Sequence, residues 1–445
     1  MKTLPWLKWW PASHTAYVWV CVVVISFACI TRAARWDKYD VIASDTTGYY
    51  AYLAAGFITH DLGDGTYLNA VRATYRQDIS ADYGNVHLPN GKTVFKYPLG
   101  MAVAYAPWFG LAHGYALLHG DPADGYSRPY QHILALGCWA YALLGLWLLG
   151  RELRHYFSDH IAALTLLAVG LGTNLFCYAT YEATMPHATL FLLNVLLLRH
   201  TRQWYAQGTW RTGLALAVVF GLLLLIRPSE LWMGAVPALW GLSTRAALGQ
   251  RLAYWRAHWR QLAAMSAAVG LLAGQQFLFW RVVSGHWLLD FYPGEKFDFL
   301  HPHLLQGLFD IRKGWLVWTP LMALALAGIF WMRRFAAAPA QPPLLVLVPL
   351  VLFVTFSWWD WRYGGGFSAR PLISLYPLLS LAMASFWARW WPAYAWLLAL
   401  LVLLFVLLNL LQSWQYYLGM VDTYNETWER YWHYFFDLEW PNPPR

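Results

Sequence analysis

Charge is what this chain is short of. Asp, Glu, Lys and Arg make up 12% of its 445 residues and hydrophobic side chains 59%, against roughly 25% charged residues in a soluble domain. Too little polar surface exists to cover a soluble particle of this length, so a water-soluble globular protein is excluded. Cysteine is scarce too. Cys21, Cys29, Cys138 and Cys177 lie within or at the ends of apolar runs, without CxxC or zinc-ligand spacing. That excludes a disulfide framework or zinc site and leaves small buried hydrophobes. Soluble domain, linker, low-complexity tract and internal repeat are all missing. The net charge of +8 forms no basic face, so nucleic acid is not an expected partner.

What is present is a series of apolar runs near the length of a bilayer-spanning helix, with Trp and Tyr suited to the interfacial belts. The first run, Tyr17 to Ile30, lacks a small-residue cleavage site and reads as an uncleaved span. Further spans are expected near 131–150, 159–178, 185–199, 212–226, 229–244, 262–283, 315–332, 343–357, 371–388 and 392–411. The segments 212–226 and 229–244 are short and meet at Arg227-Pro228-Ser229-Glu230, which reads as a tight hairpin or broken helices.

Basic residues fix the orientation. Arg151/Arg154, Arg199/Arg202/Arg211, Arg245/Arg251/Arg256/Arg260, Arg333/Arg334 and Arg389 fall on one side, with only Glu152 and Asp159 among the acids. By the positive-inside rule that side is cytoplasmic. Lys2 and Lys8 put the N-terminus there as well, and the tail 412–445 outside. Tyr97–Leu118 is interrupted by Pro98 and Pro107 and reads as one or two juxtamembrane helices, because counting it as a span would invert every later loop. The expected fold is all-α: a polytopic transmembrane bundle of about 11 spans in one domain, 1–445. Its first external loop, 32–130, carries the juxtamembrane helices. Tyr49 to Ile58 within it reads as an interfacial helix and Asp61 to Asn90 as irregular surface.

Five stretches at the outer span boundaries hold nearly all the unusual polar chemistry. They contain Asp45, Lys96, Glu182 with His187, Arg312 with Lys313, and the run from Asp360 and Arg362 through Gly364–Gly366 to Arg370. Each has a plain structural reading: Asp45 as a helix cap, Lys96 snorkelling to headgroups, Glu182 and His187 as an interhelical pair, Arg312 and Lys313 as surface charges. His187 has no second His at helical spacing, which argues against a metal ligand. Together, one boundary carboxylate and several cations suit a lipid phosphate as leaving group. The carboxylate takes the proton of an attacking hydroxyl, and the cations stabilise the departing phosphate.

This layout resembles the GT-C membrane glycosyltransferases, above all the bacterial branch similar to dolichyl-phosphate-mannose–protein mannosyltransferase and lipid A aminoarabinose transferase. An Asp opening the first external loop matches Asp45. The branch's Glu-Lys-Pro-Pro signature is similar to Phe95-Lys96-Tyr97-Pro98, with Phe for the Glu and Tyr for the first Pro. Ile226-Arg227-Pro228, Arg312-Lys313-Gly314 and Trp361 to Arg370 resemble an uncharacterised bacterial subgroup.

The resemblance implies a GT-C-like fold in the bacterial inner membrane, with the active site on the periplasmic side. It implies Asp45 and Glu182 as catalytic acids and Lys96, Arg312, Lys313 and Arg370 as donor-phosphate ligands. Tyr49, Tyr50, His187, Asp360 and Arg362 would contact substrate. The donor would be a polyprenyl-phosphate-linked sugar and the acceptor a lipid, glycan or protein hydroxyl. No cofactor is required by the pattern, and a divalent cation is left open. The alternatives are a lipid-linked-sugar transporter, which calls for midplane charges in broken helices, and a non-catalytic envelope assembly protein.

Overall fold

A computed structural model of the chain describes residues 13–75, 85–290, 292 and 294–439. The charges at Lys2 and Lys8 and the last residues of the tail lie outside these. The described chain is all-α apart from one small hairpin. Five helical stretches are long and apolar enough to cross a membrane: His14–Lys38, Arg128–Leu153, Trp259–Ser284, Ala338–Phe356 and Arg370–Tyr417.

Helix α1 (His14–Ala33) begins where Ser13 accepts the amide of Ala16 at 3.1 Å, a side-chain cap on an otherwise orphaned donor. Next comes α2 (Asp45–Phe57), expected as an amphipathic surface helix but packed inside the protein: Thr46 through Ala55 are all buried. The segment 61–90, expected to be irregular, contains α3 (Tyr67–Tyr75) and the strand β1 (Asn85–His87), which pairs antiparallel with β2 (Thr93–Phe95) just beyond it. The stretch expected as one or two juxtamembrane helices is a single helix, α4 (Gly100–His119), with Pro107 inside it. It packs lengthwise and antiparallel on the first half of α5 (Arg128–Leu153). The Tyr141 hydroxyl reaches the Ala104 carbonyl near one end, and His113 meets the Tyr130 hydroxyl near the other.

After α6 (Asp159–Leu171) and the short α7 (Leu175–Ala179), Pro186 opens α8 (Pro186–Gln207), and α9 (Trp210–Ile226) follows it. The expected span 229–244 is not one helix. It is a 3-10 turn, Pro228–Gly234, and the short α10 (Ala235–Leu239); Pro228 ends α9, and Pro237 within the stretch has no amide to bond back to the preceding turn. Then come α11 (Arg245–Ala257) and α12 (Trp259–Ser284). Short α13 (Leu304–Phe309), α14 (Trp315–Trp318) and α15 (Leu321–Gly328) lead to α16 (Gln341–Phe356).

The last long element, α17 (Tyr376–Tyr417), is broken at Tyr394, two residues after Pro392. The chain reverses there. Tyr376 and Asn409 both bond to the 171–174 segment at the end of α6, while Trp391 lies on His160 at its beginning. Short α18 (Trp428–His433) follows, and the tail folds back, with the Tyr431 hydroxyl and the Tyr434 and Phe435 carbonyls taking Gln412 and Gln415.

The bundle has two chemically different ends. At one, Arg202 binds buried Glu152 in a bidentate pair, Arg251 stacks on Tyr205 and Phe157 touches Phe335. At the other lie Asp45, Lys96 and Arg370.

Candidate functional site

The site begins with a backbone exception. Ser44, just before α2, sits at φ +49°, ψ −134°, where a side-chain-bearing residue is strained. This delivers Asp45 at the first turn of α2. The cap position is Ser44, so Asp45 is not the capping residue, and its carboxylate meets two side chains from distant segments. The Tyr97 hydroxyl donates to Oδ1 at 2.6 Å and the Arg370 guanidinium reaches Oδ2 at 3.3 Å. Gly48 makes the first contact possible, because a Cβ there would lie 2.5 Å from the Tyr97 ring. The Tyr49 ring lies against it, tilted by 32°, with centroids 4.5 Å apart.

Arg370 is brought in by the loop between α16 and α17, and this loop is pinned rather than flexible. Asp360 accepts the Gly364 amide at 2.7 Å, and the Tyr416 hydroxyl donates to the Gly365 carbonyl at 3.0 Å. Tyr178 accepts the Phe367 amide at 2.8 Å. Buried Lys313 donates to the carbonyls of Gly364, at 3.0 Å, and Gly366. Tyr363 and Ser368 take positive φ at the loop's two shoulders. A Cβ on Gly366 would meet the Tyr178 hydroxyl at 2.7 Å and Arg370 at 2.9 Å. Burial first, and Arg370 next, push the Lys313 amine well below the ordinary lysine value, with Asp360 opposing.

Asp45 and Arg370 open onto a cavity of about 600 Å³, within the range of small-molecule sites. Its polar wall adds Lys96, Arg227, Asp360 and His187, and its apolar wall includes Phe297, Phe299, Val351, Val354 and Trp358. Several apolar rim residues remain exposed, among them Leu231, Trp232 and Trp359. Lys96 is paired with Glu295 and lies 4.6 Å from the centroid of Tyr292, so it ties these two residues into the cavity wall. Burial pushes the Tyr292 hydroxyl up to about 12, against the pull of Arg227.

Of the residues singled out from sequence, Asp45, Lys96, Tyr49, His187, Asp360 and Arg370 line this one cavity. Five do not. Glu182 is held by Arg35 at 2.9 Å, which also binds Asp40. Arg312 is consumed by Asp310 through two contacts of 2.8 and 2.6 Å. Lys313 serves the glycine carbonyls. Arg362 turns back to Asp360 at 3.3 Å and lies over Tyr424. Tyr50 points into a separate aromatic cluster with Phe109 and Tyr126 and donates to the Gly125 carbonyl.

The residue that sequence reasoning left out of the site is Arg227. It lines the cavity at the break after α9, and it has no ion-pair partner among the described residues. A cation beside a proline that ends an apolar run was the available signal. Tyr97, a departure from the resembled signature, is the hydroxyl on Asp45. Among the described residues no three His, Cys, Asp or Glu side chains converge as a metal site.

Searched against family models, curated proteins and solved structures, the chain matches none.

Proposed function

We propose that the cavity binds a polyprenyl-phosphate-linked sugar and transfers the sugar to a hydroxyl acceptor, as in a GT-C-like inverting glycosyltransferase. On this reading the chain has about 11 spans in the bacterial inner membrane, with the cavity toward the periplasm. The observation that carries it is the pairing of one oriented carboxylate, Asp45, with Arg370 in a cavity that also holds Arg227 and Lys96 and has an apolar flank. The three cations suit the donor phosphate. The exposed apolar rim suits the prenyl chain.

In the transfer, the acceptor oxygen attacks the sugar's anomeric carbon while Asp45 takes the acceptor's proton. The bond from that carbon to the phosphate oxygen breaks, and the phosphate leaves with the electron pair beside Arg227 and Arg370. Direct displacement inverts the anomeric centre.

A carrier of lipid-linked sugar is the second reading. It draws on Glu230, buried at the break between α9 and α10, since broken helices with charges mark transport sites. Mass analysis of envelope lipids and glycoconjugates separates the two. Cells carrying the protein should gain a product one sugar heavier that cells with Asp45→Asn lack, with inverted linkage. Donor relocated intact, without any new sugar-bearing product, would overturn transfer in favour of carriage.

A further inference from the structure

The cavity has a polar floor that the transfer chemistry does not use. Glu230, Asn194, Ser374 and His187 are each more than nine-tenths buried, and Glu230, Ser374 and His187 line the cavity. They come from three separate elements. Glu230 lies on the 3-10 turn after α9, Asn194 and His187 on α8, and Ser374 on the turn before α17.

Glu230 is held from two sides. Ser374 donates to its Oε1 at 2.6 Å and Asn194 to its Oε2 at 3.1 Å. A carboxylate offers about four acceptor positions, so two remain. No cation lies within ion-pair distance of it among the described residues; Arg227 acts on it only at longer range. A buried carboxyl oriented by two neutral donors on the cavity wall keeps acceptor capacity for a ligand.

His187 adds a second unmet demand. Neither ring nitrogen bonds to another described residue, and Nδ1 is fully enclosed. The nitrogen left to meet a ligand is therefore Nε2. A proton on Nε2 avoids leaving a buried N–H orphaned, the costlier of the two tautomers. The floor thus offers an oriented acceptor at Glu230 and a donor at His187.

We infer that this floor is the subsite for the transferred group and that it selects an uncharged sugar by its hydroxyls, one donating to Glu230 and another accepting from His187. The inference rests on the donor-cavity reading above. It excludes uronic acids, whose own carboxylate would be pressed against Glu230.

The test uses detergent-solubilised full-length protein and competition against labelled undecaprenyl phosphate. The competitors are unlabelled undecaprenyl phosphate and undecaprenyl-phosphoglucose, -mannose, -galactose, -arabinose and -glucuronate. At least one neutral sugar should strengthen binding about tenfold or more over the bare lipid phosphate, the return on a hydrogen bond to a charged group, and glucuronate should add nothing. Glu230→Gln, which keeps the shape and the Ser374 contact, and His187→Phe, which keeps the packing on Tyr178, should each abolish that gain. Binding of the bare lipid phosphate should stay unchanged in both, which also shows that they fold.

Absence of any neutral-sugar gain, a gain that survives both variants, or an equal gain from glucuronate would overturn the floor but leave the donor cavity standing. Loss of bare-lipid binding in both variants would do the same, marking the cluster as structural. No binding of undecaprenyl phosphate by the unaltered protein would overturn both.

Discussion

Arg370 stands 3.3 Å from the carboxylate of Asp45, a residue 325 positions away in the chain. Their side chains are 17% and 16% exposed, and Asp45 is the carboxylate paired with Arg370 in this largely buried cavity wall. This pairing gives Asp45 a structural as well as a chemical role, and the two can be separated.

Asp45→Asn keeps the shape and the contact from Tyr97 but leaves Arg370 without its partner. Release of polyprenyl phosphate from a labelled polyprenyl-phosphosugar in membranes should fall about 10²–10⁴-fold with loss of the base. Stability should fall by about 1–3 kcal/mol, since a buried charge has lost its partner. Adding Arg370→Gln should recover the stability and not the turnover. Full turnover in the single variant would remove Asp45 from the chemistry.

Arg227 and Arg312 should behave oppositely. Arg227 lines the cavity without an ion pair, so Arg227→Gln should weaken binding of undecaprenyl phosphate about tenfold to a hundredfold at nearly unchanged stability. Arg312 is spent on Asp310 outside the cavity, as Glu182 is on Arg35. Arg312→Gln and Glu182→Gln should leave that affinity alone. Equal losses for Arg227→Gln and Arg312→Gln would mean that the cavity does not define the phosphate site.

Lys313 should stabilise the glycine loop. Lys313→Met orphans the buried Gly366 carbonyl and the partly buried Gly364 carbonyl, at about 1–3 kcal/mol for the buried one. The folded amine releases its proton well below the value of 10.5 that holds for the unfolded chain. Between those values the unfolded state binds the extra proton, so stability rises with pH. The thermal midpoint of the unaltered protein, relative to that of Lys313→Met, should therefore climb as the pH rises toward 10.5. A difference that falls over this range would show that the ammonium form is the one held in the loop.

The two ends of the bundle should lie on opposite sides of a membrane. Helix α12 has 26 residues, about 39 Å at 1.5 Å each. Its end near Val283 bonds to Asn90 beside the β-hairpin, while its start adjoins α11 and Arg256. In a background with the four native cysteines replaced, Asp64→Cys and Arg256→Cys should be labelled from opposite faces by an impermeant thiol reagent. Labelling from the same face would overturn the topology.

Hydropathy and charge order act residue by residue along the chain, and for that reason the sequence alone determined an all-α protein with membrane-compatible helices and its basic clusters at one end. It also singled out Asp45, Lys96 and Arg370, because an ionised group at a span boundary is conspicuous wherever the chain later goes. Which charges remain available to a ligand was decided only by tertiary structure. Arg312, Lys313 and Glu182 looked equivalent to Lys96 and Arg370 in sequence, but Asp310, two glycine carbonyls and Arg35 hold them outside the cavity, whereas Lys96 and Arg370, paired with Glu295 and Asp45, still line it. Arg227 was freed in the same way, since Pro228 ends the helix beside it and no acid among the described residues comes within ion-pair distance. The polar floor needed three elements to converge, so Glu230, Asn194 and Ser374 carried no joint signal until the bundle assembled.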